Sequence, residues 1–492
     1  MESSEFTITI QEQFESFEIG TSDTNSSTSA LSAVRLRETP VPPRTASTTT
    51  PSNTGHLDSL MPEQREALLQ LWGLVFDQLG QPFDATVASS GALKRKTSQV
   101  REEMLKDLRQ SQVDIHRQTH FGLDGQESAA IETNPLTAEL FMQFSTDDPD
   151  RVLLRFLRAR QWVVVDAFAM LLDGLRWRHT VGLRKLMMTG ESAIKTTLLE
   201  GGKNYFWKED RDGRLVCYIR SRLHDRNAQT LQESIDFTLY TVEVGRRLRR
   251  HDEQLVTAIF DLRDAPLASL DIPCMQFMVS TLQSFYPEIL GKCLILDAPW
   301  IFAGFWRLVK PLLDPVVAAK IEFIKVEDLP KYIEAASIPL EYGGTDPFCY
   351  SYSPPPVSRT DRPNPIPRAQ EESDAQLLLA RLAILRVRFI ESTREMYSLV
   401  SRVEDPLDLE KLLVPVKEAR DELKDQLQRC YTLLDSQVLA PSWYQRIGVL
   451  SEDYKIQWEQ YDPAATPLKS ECAASVSLRA SAPPALRTGT TE

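Results

Sequence analysis

The sequence predicts an α/β protein in which helices cover a mainly parallel sheet. Three apolar runs, Leu215–Ile219, Leu255–Leu262 and Lys292–Asp297, have the length and the near-continuous apolar character of strands buried on both faces. The segments between them, residues 231–250 and 269–286, keep apolar side chains at helical spacing. Because strands that alternate with helices need crossover connections, we expect them to pair in parallel.

The residues around these segments support the same fold class. A turn at Asp212 and Gly213 leads into the first strand, and Pro287 ends the second of the two helical segments. Glu322–Val326 follows an apolar helical region and is predicted as a fourth strand.

The composition favours a soluble protein of about three domains. Of 492 residues, 42% are hydrophobic and 25% are charged, which is ordinary for a globular chain. The 69 acidic residues outnumber the 56 basic ones, and the net charge is -13. Since affinity for phosphate backbones comes largely from Lys and Arg, this balance argues against a nucleic-acid-binding protein.

Cysteine usage and the absence of targeting segments predict a cytoplasmic protein. The six cysteines include no CxxC pair, as expected in a reducing compartment. The N-terminus has neither a basic region followed by an apolar run nor an Arg-rich transit pattern. The longest apolar stretch, Cys293–Trp306, contains Asp297 and Pro299 and is too short to span a bilayer.

Residues 1–58 are predicted to be disordered, because they are rich in Ser, Thr and Pro and cannot bury enough apolar surface to offset chain entropy. A helix is predicted from Pro62 to the stop at Gly80, and a polar insert continues to about Glu132. These elements belong to a predicted helical lobe over residues 59–186.

The second half of that lobe is predicted to be a pair of helices. Residues 148–186 keep an apolar stripe, and we expect Trp162 and Trp177 to anchor its core.

The C-terminal third is predicted to contain a linker, a helical hairpin and a disordered tail. Residues 351–374 are rich in proline and are expected to be extended. Over residues 375–460, apolar side chains recur at spacings near seven on both sides of a break at Pro406 and Pro415. A packed intramolecular pair is favoured over a self-associating coiled coil, and residues 461–492 are expected to be disordered.

Motifs of the common enzyme classes are absent from the sequence. It has no P-loop, no GxGxxG after a strand, no GxSxG and no HExxH, so we predict a protein that is not an enzyme and has no metal. His116 and His120 have the spacing of a zinc pair, but a solvated surface pair is the favoured interpretation. His224, next to Asp225, could act as a general base, and a solvated loop is again favoured.

A basic run ends the first helical segment between the strands, at Arg246, Arg247, Arg249 and Arg250. Cations at this position complement the helix dipole, which is the favoured interpretation. The alternative is a weak contact with anionic lipid head groups at a membrane surface.

An apolar segment after the third strand has a less ordinary pattern. Its apolar side chains lie on more than one side of a helix that Pro311 and Pro315 interrupt. These side chains are Phe302, Phe305, Trp306, Val309, Leu312 and Leu313. The segment is either plain core or an element that covers an apolar cavity.

Seven blocks of the sequence, in this order, resemble the CRAL-TRIO family, and within it the yeast phosphatidylinositol/phosphatidylcholine transfer proteins. The blocks are LLRFLRARQW (Leu153–Trp162), LRWR (Leu175–Arg178), DGRLVCYI (Asp212–Ile219), IFDLRD (Ile259–Asp264), FYPEILGKCLILDAPWIF (Phe285–Phe302), FWRLVKPLLDPVVAAKI (Phe305–Ile321) and IPLEYGG (Ile338–Gly344). The resemblance implies a lipid-binding lobe over residues 187–350, whose sheet forms the floor of an apolar pocket for one lipid. It also implies that the helix at Ala303–Leu313 gates this pocket.

The resemblance further implies three head-group ligands. Family members that bind phosphatidylinositol use an Arg, a Glu and a Lys at positions that match Arg160, Glu288 and Lys320. Two cations near the phosphate and a carboxylate near the inositol hydroxyls would form charge-assisted hydrogen bonds.

The chain also departs from the family pattern at five positions. Other polar donors for phosphatidylinositol are replaced by Gln161, Ile289 and Val317, and the hydroxyls for phosphatidylcholine by Val256 and Ala258. These departures weigh against phosphatidylcholine more than against phosphatidylinositol.

We therefore expect a monomeric, cytoplasmic protein that associates peripherally with membranes and transfers or presents one phospholipid, most readily phosphatidylinositol. The lipid is its expected ligand, and no other cofactor is expected. The alternative is an interaction protein that senses another apolar ligand, such as a sterol, squalene or haem, and recruits a partner through its C-terminal helices.

Overall fold

A computed structural model describes residues 56–80, 134–249, 254–266, 269–300, 302–355, 368–403 and 405–461. Several expectations from the sequence concern residues outside these ranges. They are the disorder predicted for residues 1–55 and 462–492, the polar insert with His116 and His120, residues 356–367 of the predicted linker, and the membrane contact of Arg250.

The N-terminal lobe is helical, as predicted. Its helices are α1 (Pro62–Leu79), α2 (Pro135–Phe141), α3 (Pro149–Ala159) and α4 (Val164–Thr180). The next two helices, α5 (Leu183–Thr189) and α6 (Thr196–Glu200), pack in the core next to the sheet. Asp148 caps α3, because its side chain accepts the backbone N–H groups of Asp150 and Arg151. The ring of Trp72 on α1 is buried and stacks on Phe76 with centroids 5.0 Å apart, at the centre of the lobe's core.

The two tryptophans expected in this core have different surroundings. Trp162 is half-buried against the helical lobe. Trp177 is buried in the core next to the sheet, where its ring stacks on Phe285 at 4.4 Å. Trp177 therefore joins the two lobes rather than anchoring the helical one.

The second lobe contains a five-stranded sheet in the order β1-β2-β3-β4-β5. The strands are β1 (Asn204–Glu209), β2 (Leu215–Arg220), β3 (Val256–Asp261), β4 (Leu290–Leu296) and β5 (Ile321–Ile324). β1 is antiparallel to β2, and the three remaining pairs are parallel. The mainly parallel sheet predicted from the sequence is confirmed, and β1 is an addition to it.

Helices connect the parallel strands. They are α7 (Leu231–Arg247), α8 (Ile272–Phe285), α9 (Phe302–Val309) and α10 (Pro315–Ala318). Because consecutive strands are neighbours and each connection is a crossover, these helices lie on one face of the sheet.

The opposite face of the sheet is closed by the chain after β5. Tyr218, Ile259 and Leu294 are in register on this face and are fully buried. The segment over residues 326–350 covers them, and the rings of Tyr218 and Tyr342 lie 4.8 Å apart.

The C-terminal helices α11 (Arg368–Arg402) and α12 (Pro406–Val438) pack against each other as the predicted hairpin. The hairpin also completes the N-terminal lobe, because Phe389 contacts Trp72 at a centroid distance of 5.4 Å. The prediction of a helix break at Pro415 is wrong. The helix continues through this residue, since the buried side chains on both sides of it hold α12 against its neighbours.

The last described segment, with α13 (Trp443–Arg446), covers the free edge of the sheet. The hydroxyl of Tyr444 accepts the N–H of Phe206 at 2.6 Å and donates to its carbonyl oxygen at 3.1 Å. These bonds satisfy backbone groups that an edge strand leaves unpaired. In the described part of the chain, no helix has both the length and the apolarity needed to cross a membrane.

Candidate functional site

The face of the sheet under the helices is apolar but incompletely packed. Its first row of side chains, in register across four strands, consists of Cys217, Ala258, Cys293 and Ile321. The next row consists of Ile219, Phe260, Ile295 and Phe323. Several of these side chains keep accessible surface, and Phe323 is 48% exposed. The two faces of one sheet thus differ, and this one offers an apolar floor.

Helix α9 lies over part of this floor. Phe302, Phe305 and Val309 are buried and pack with Leu262 and Ile295. Their spacing of three and four residues places them on one side of the helix. For this segment the sequence left two interpretations open: plain core, or an element that covers an apolar cavity.

The remaining three side chains of the expected gate are less buried. Trp306 is half-buried and its ring meets Phe323 edge-on, with centroids 5.2 Å apart. Leu312 is exposed and Leu313 is half-buried, because both follow the end of α9 at Val309.

The outer surface around α9 is apolar and basic. Trp300 is 88% exposed, and Leu308 and Val316 are also exposed. Arg307 and Lys310 are exposed in the same segment. Exposed large apolar side chains next to cations are typical of a surface that meets a membrane or another apolar partner.

The structure places Glu288 and Lys320 at the amino ends of two adjacent strands, β4 and β5. Glu288 has a φ of +57°, a conformation that residues other than glycine rarely adopt. The Nζ of Lys320 donates to the carbonyl oxygen of Leu290 at 2.5 Å. Burial lowers the pKa of Lys320, the nearby Glu288 opposes this effect, and Arg214 adds to it. Two of the three expected head-group residues are therefore neighbours.

The third expected residue, Arg160, makes its contacts away from Glu288 and Lys320. It is exposed at the end of α3 and donates to the carbonyl oxygen of Ala159 at 3.2 Å. The cation that binds Glu288 is Arg158, whose Nε lies 2.6 Å from Oε2 of the carboxylate.

Sequence reasoning missed Arg158. The two arginines are two positions apart at a helix end, so their side chains point in different directions. Arg158 belongs to the last turn of α3, whereas Arg160 is its C-cap. Helical spacing predicts that Arg158 and Arg160 point in different directions, but nothing in the sequence shows which of them faces Glu288.

The basic run at the end of α7 is partly internal, so the alternative interpretation, a weak membrane contact, is wrong for Arg246 and Arg249. Arg246 and Arg249 are buried, and both bind the carboxylate of Asp147, at 2.8 and 2.5 Å. A buried arginine that is already paired with a carboxylate is not available to lipid head groups. Arg247 belongs to the last helical turn, where a cation complements the dipole. Its guanidinium lies 6.0 Å from the centre of the Tyr454 ring.

His224 is buried, so the expectation of a solvated loop is wrong. Its Nε2 lies 3.0 Å from Oδ2 of Asp271. Its Nδ1 lies 2.6 Å from the Nζ of Lys203. The partner carboxylate is thus Asp271 rather than the adjacent Asp225.

Two family models match this chain. The model of the CRAL/TRIO domain matches residues 199–344, and the model of the CRAL/TRIO N-terminal domain matches residues 101–173. The first match contains the sheet, α7 to α10, Glu288 and Lys320, and the second contains α3.

Curated relatives match over longer segments. A CRAL-TRIO domain-containing protein of Schizosaccharomyces pombe is 30% identical over 343 residues, which are 67% of this chain and 72% of that protein. The phosphatidylinositol transfer protein CSR1 of Eremothecium gossypii is 33% identical over 324 residues, which are 64% of this chain and 71% of that protein. The SEC14 cytosolic factor of Eremothecium gossypii is 30% identical over 213 residues, which are 40% of this chain and 69% of that protein.

Proposed function

This chain belongs to the CRAL-TRIO family of lipid-binding and lipid-transfer proteins, and we propose that it binds one phosphatidylinositol molecule and exchanges it at membrane surfaces. The observation that carries the proposal is the difference between the two faces of the sheet. Tyr218, Ile259 and Leu294 on one face are fully buried, whereas Phe260 and Phe323 on the other keep accessible apolar surface.

An apolar floor is what lipid transfer requires physically. A diacyl lipid carries on the order of thirty methylenes, each worth about 0.8 kcal/mol when removed from water. Leaving a bilayer is prohibitive unless the protein replaces nearly all of that contact. We therefore place the acyl chains on the floor beneath α9 and expect exchange to occur while the protein is docked on a membrane.

The polar residues at the amino ends of β4 and β5 suit the head group. In our proposal, Lys320 binds the phosphate, and Glu288 accepts hydrogen bonds from the inositol hydroxyls. Arg160, which donates to the carbonyl oxygen of Ala159 at the surface, turns toward the phosphate when the lipid binds. Arg158 orients the carboxylate of Glu288 through the ion pair at 2.6 Å.

The side chains of the floor disfavour a choline lipid. Val256 and Ala258 lie on β3, in register with Leu290 and Cys293 of β4, and neither offers a hydroxyl to a phosphate. A phosphatidylcholine phosphate placed there would lose hydrogen bonds that it makes in water, and burying such a group unpaired is costly.

For α9 to open at a membrane, the protein surface around it must be able to enter the lipid interface. We propose that Trp300, Leu308 and Val316 enter the membrane interface, while Arg307 and Lys310 meet anionic head groups. The protein would thus be cytoplasmic and only transiently bound to membranes, and it would return the lipid chemically unchanged.

Transfer of fluorescent phosphatidylinositol between vesicles tests this function. We expect Glu288→Ala and Lys320→Ala to abolish transfer while the unfolding midpoint stays near that of the wild type. The matched control is Lys331→Ala, which removes an exposed lysine that pairs within its own turn, with Asp328 at 2.7 Å. Undiminished transfer by the two site variants would contradict the head-group assignment, and no transfer by the wild-type protein would contradict the function.

A second candidate function rests on the outer surface of the hairpin. Leu377 and Ile384 are exposed on α11 one heptad apart, a pattern that a partner helix can bind. The protein would then sense a sterol, squalene or haem and recruit a partner. Mass spectrometry of the ligand extracted from purified protein separates the two functions, because only the first predicts one phosphatidylinositol per chain.

A further inference from the structure

Three metal-ligating side chains meet at the carboxyl end of the sheet, far along the strands from Glu288 and Lys320. His224 follows β2, and Asp271 and Cys274 begin α8 after β3. His224 and Cys274 are buried, and Asp271 is half-buried. Ligand sites in parallel sheets characteristically lie at this end of the strands.

The ligand atoms of these side chains are close enough to share one ion. One atom from each residue lies within 4.8 Å of the other two, and Nε2 of His224 is 3.0 Å from Oδ2 of Asp271. Around a tetrahedral zinc ion with bonds of roughly 2.0 to 2.3 Å, neighbouring ligands lie roughly 3.3 to 3.8 Å apart. The three atoms therefore lie close to the spacing that one ion would impose.

We propose that His224, Asp271 and Cys274 form a binding site for a transition-metal dication, with Zn²⁺ as the cation that the imidazole, carboxylate and thiolate set suits best. The half-buried carboxylate of Asp271 provides the side from which an ion enters. The site leaves a fourth position for water.

Residues behind His224 fit the role of an outer shell. The carboxamide of Gln229 lies 2.6 Å from Nδ1 of His224 and 2.8 Å from the hydroxyl of Ser234. A metal-ligating histidine usually has its second ring nitrogen held by such a partner, which fixes the orientation of the ring. Metal on Nε2 would place the proton on Nδ1. The oxygen of the Gln229 side chain can accept this proton after an amide flip, and Lys203, whose ammonium group only donates, must then turn away from Nδ1.

Lys203 is the group that opposes a metal ion. Its Nζ lies 2.6 Å from Nδ1 of His224, on the ring edge away from Asp271. The carboxylate of Asp271 and the thiolate that Cys274 becomes on binding supply two negative charges against this ammonium group. The opposing charge lowers the affinity for the ion, and binding at Nε2 also breaks the hydrogen bond from Lys203 to Nδ1.

Cobalt is a suitable probe, because thiolate-bound Co²⁺ absorbs light and Zn²⁺ displaces it. We expect the full chain, stripped with a chelator, to bind one Co²⁺ with a thiolate-to-cobalt charge-transfer absorption. Cys274→Ser should remove that absorption, and the control Cys430→Ser, at another buried free cysteine, should retain it. No absorption in the wild-type protein, or an unchanged absorption in Cys274→Ser, overturns the proposal.

Two further variants keep the test independent of folding defects. Asp271→Asn retains the helix cap, since Asn caps as well as Asp, and should weaken Co²⁺ binding at least tenfold. Lys203→Met should tighten binding by removing the opposing charge, and weaker binding by this variant counts against the site. Phosphatidylinositol transfer by the metal-free protein is measured in parallel, so a failure of the lipid function is distinguishable from a failure of the metal site.

Discussion

The carboxamide of Gln283 on α8 binds the chain just after α9, where its Oε1 accepts the backbone N–H of Asp314 at 2.6 Å. Its Nε2 donates to the carbonyl oxygen of Leu312 at 3.1 Å. One side chain thus ties the end of the covering helix to its neighbour. If α9 swings away from the floor, both hydrogen bonds must break or move with it.

We expect Gln283→Ala to speed the release of bound lipid about tenfold, because two neutral hydrogen bonds are together worth about 1 to 2 kcal/mol. The release of a fluorescent phosphatidylinositol into acceptor vesicles measures this rate. Gln276→Ala, one heptad earlier on α8, is the matched control. Equal rates for both variants would show that these bonds do not hold α9 closed.

The ion pair between Arg420 of α12 and Asp150 of α3 should stabilise the protein strongly. Two guanidinium nitrogens of Arg420 donate to the two carboxylate oxygens at 2.6 Å each, and both side chains are buried. Arg420→Met leaves this carboxylate buried without its main partner, which typically costs about 3 to 5 kcal/mol. Urea unfolding measures the loss.

The control for this pair is Arg429→Met, on the same helix, whose exposed partner Glu422 lies 3.6 Å away. We expect it to change the free energy of unfolding by less than about 0.5 kcal/mol. Similar effects of both substitutions would mean that burial does not decide the worth of the Arg420 pair.

The exposed apolar surface near α9 should govern membrane binding. We expect Trp300→Asp and Leu308→Asp to lower the binding of vesicles that contain anionic lipid at least tenfold, since each places a charge where an apolar group would enter the interface. Flotation with vesicles measures binding. Leu433→Asp, at an exposed position on α12, is the control and should bind normally. Equal binding by all three variants would place the membrane contact elsewhere.

Acid should destabilise the protein below about pH 4. Arg155, Arg249 and Arg246 lower the pKa of Asp147 despite its burial, and Arg178 and Arg246 do the same for the buried Glu243. A depressed pKa in the folded state contributes stability above the ordinary carboxyl pKa, and this stability is lost as the pH falls further. Urea unfolding from pH 7 to pH 3 should therefore show a falling free energy of unfolding below about pH 4. A value that stays constant down to pH 3 would contradict this assignment.

The pKa of Asp173 should make stability depend on pH in the opposite direction. Burial raises its pKa to about 6, and Arg176 only partly opposes the shift. Its contribution to stability is full below about pH 4 and is lost as the pH rises through 6. We expect Asp173→Asn to raise the free energy of unfolding at pH 7 by about 1 to 2 kcal/mol, and to change it little at pH 4. A loss of stability at pH 7 would contradict this sign.

Much of the fold could be predicted because its elements are encoded locally. Apolar runs mark β2, β3 and β4, and the predicted strand Glu322–Val326 lies close to the observed Ile321–Ile324. β1 was missed because it lies at the edge of the sheet and its sequence, NYFWKE, mixes aromatic with polar residues. Its pairing depends on contacts with β2 and with Tyr444, which is remote in sequence.

The residues of the candidate site, too, could be predicted only in part. The resemblance of short sequence blocks identified Glu288, Lys320 and the segment that became α9. It did not identify Arg158, because the choice between two nearby arginines depends on how α3 meets the loop before β4. It also missed the cluster at His224, whose other members are almost fifty residues further along the chain.

The sequence by itself determined the family, the order of helices and strands, and the apolar character of the sheet, because periodicity and motif order are properties of neighbouring residues. Only the tertiary structure decided which charges face each other. Arg420 reaches Asp150 across 270 positions, and Arg249 turns inward to Asp147 instead of outward to a membrane. A buried charge requires a partner, and that partner is chosen by packing in three dimensions rather than by spacing along the chain.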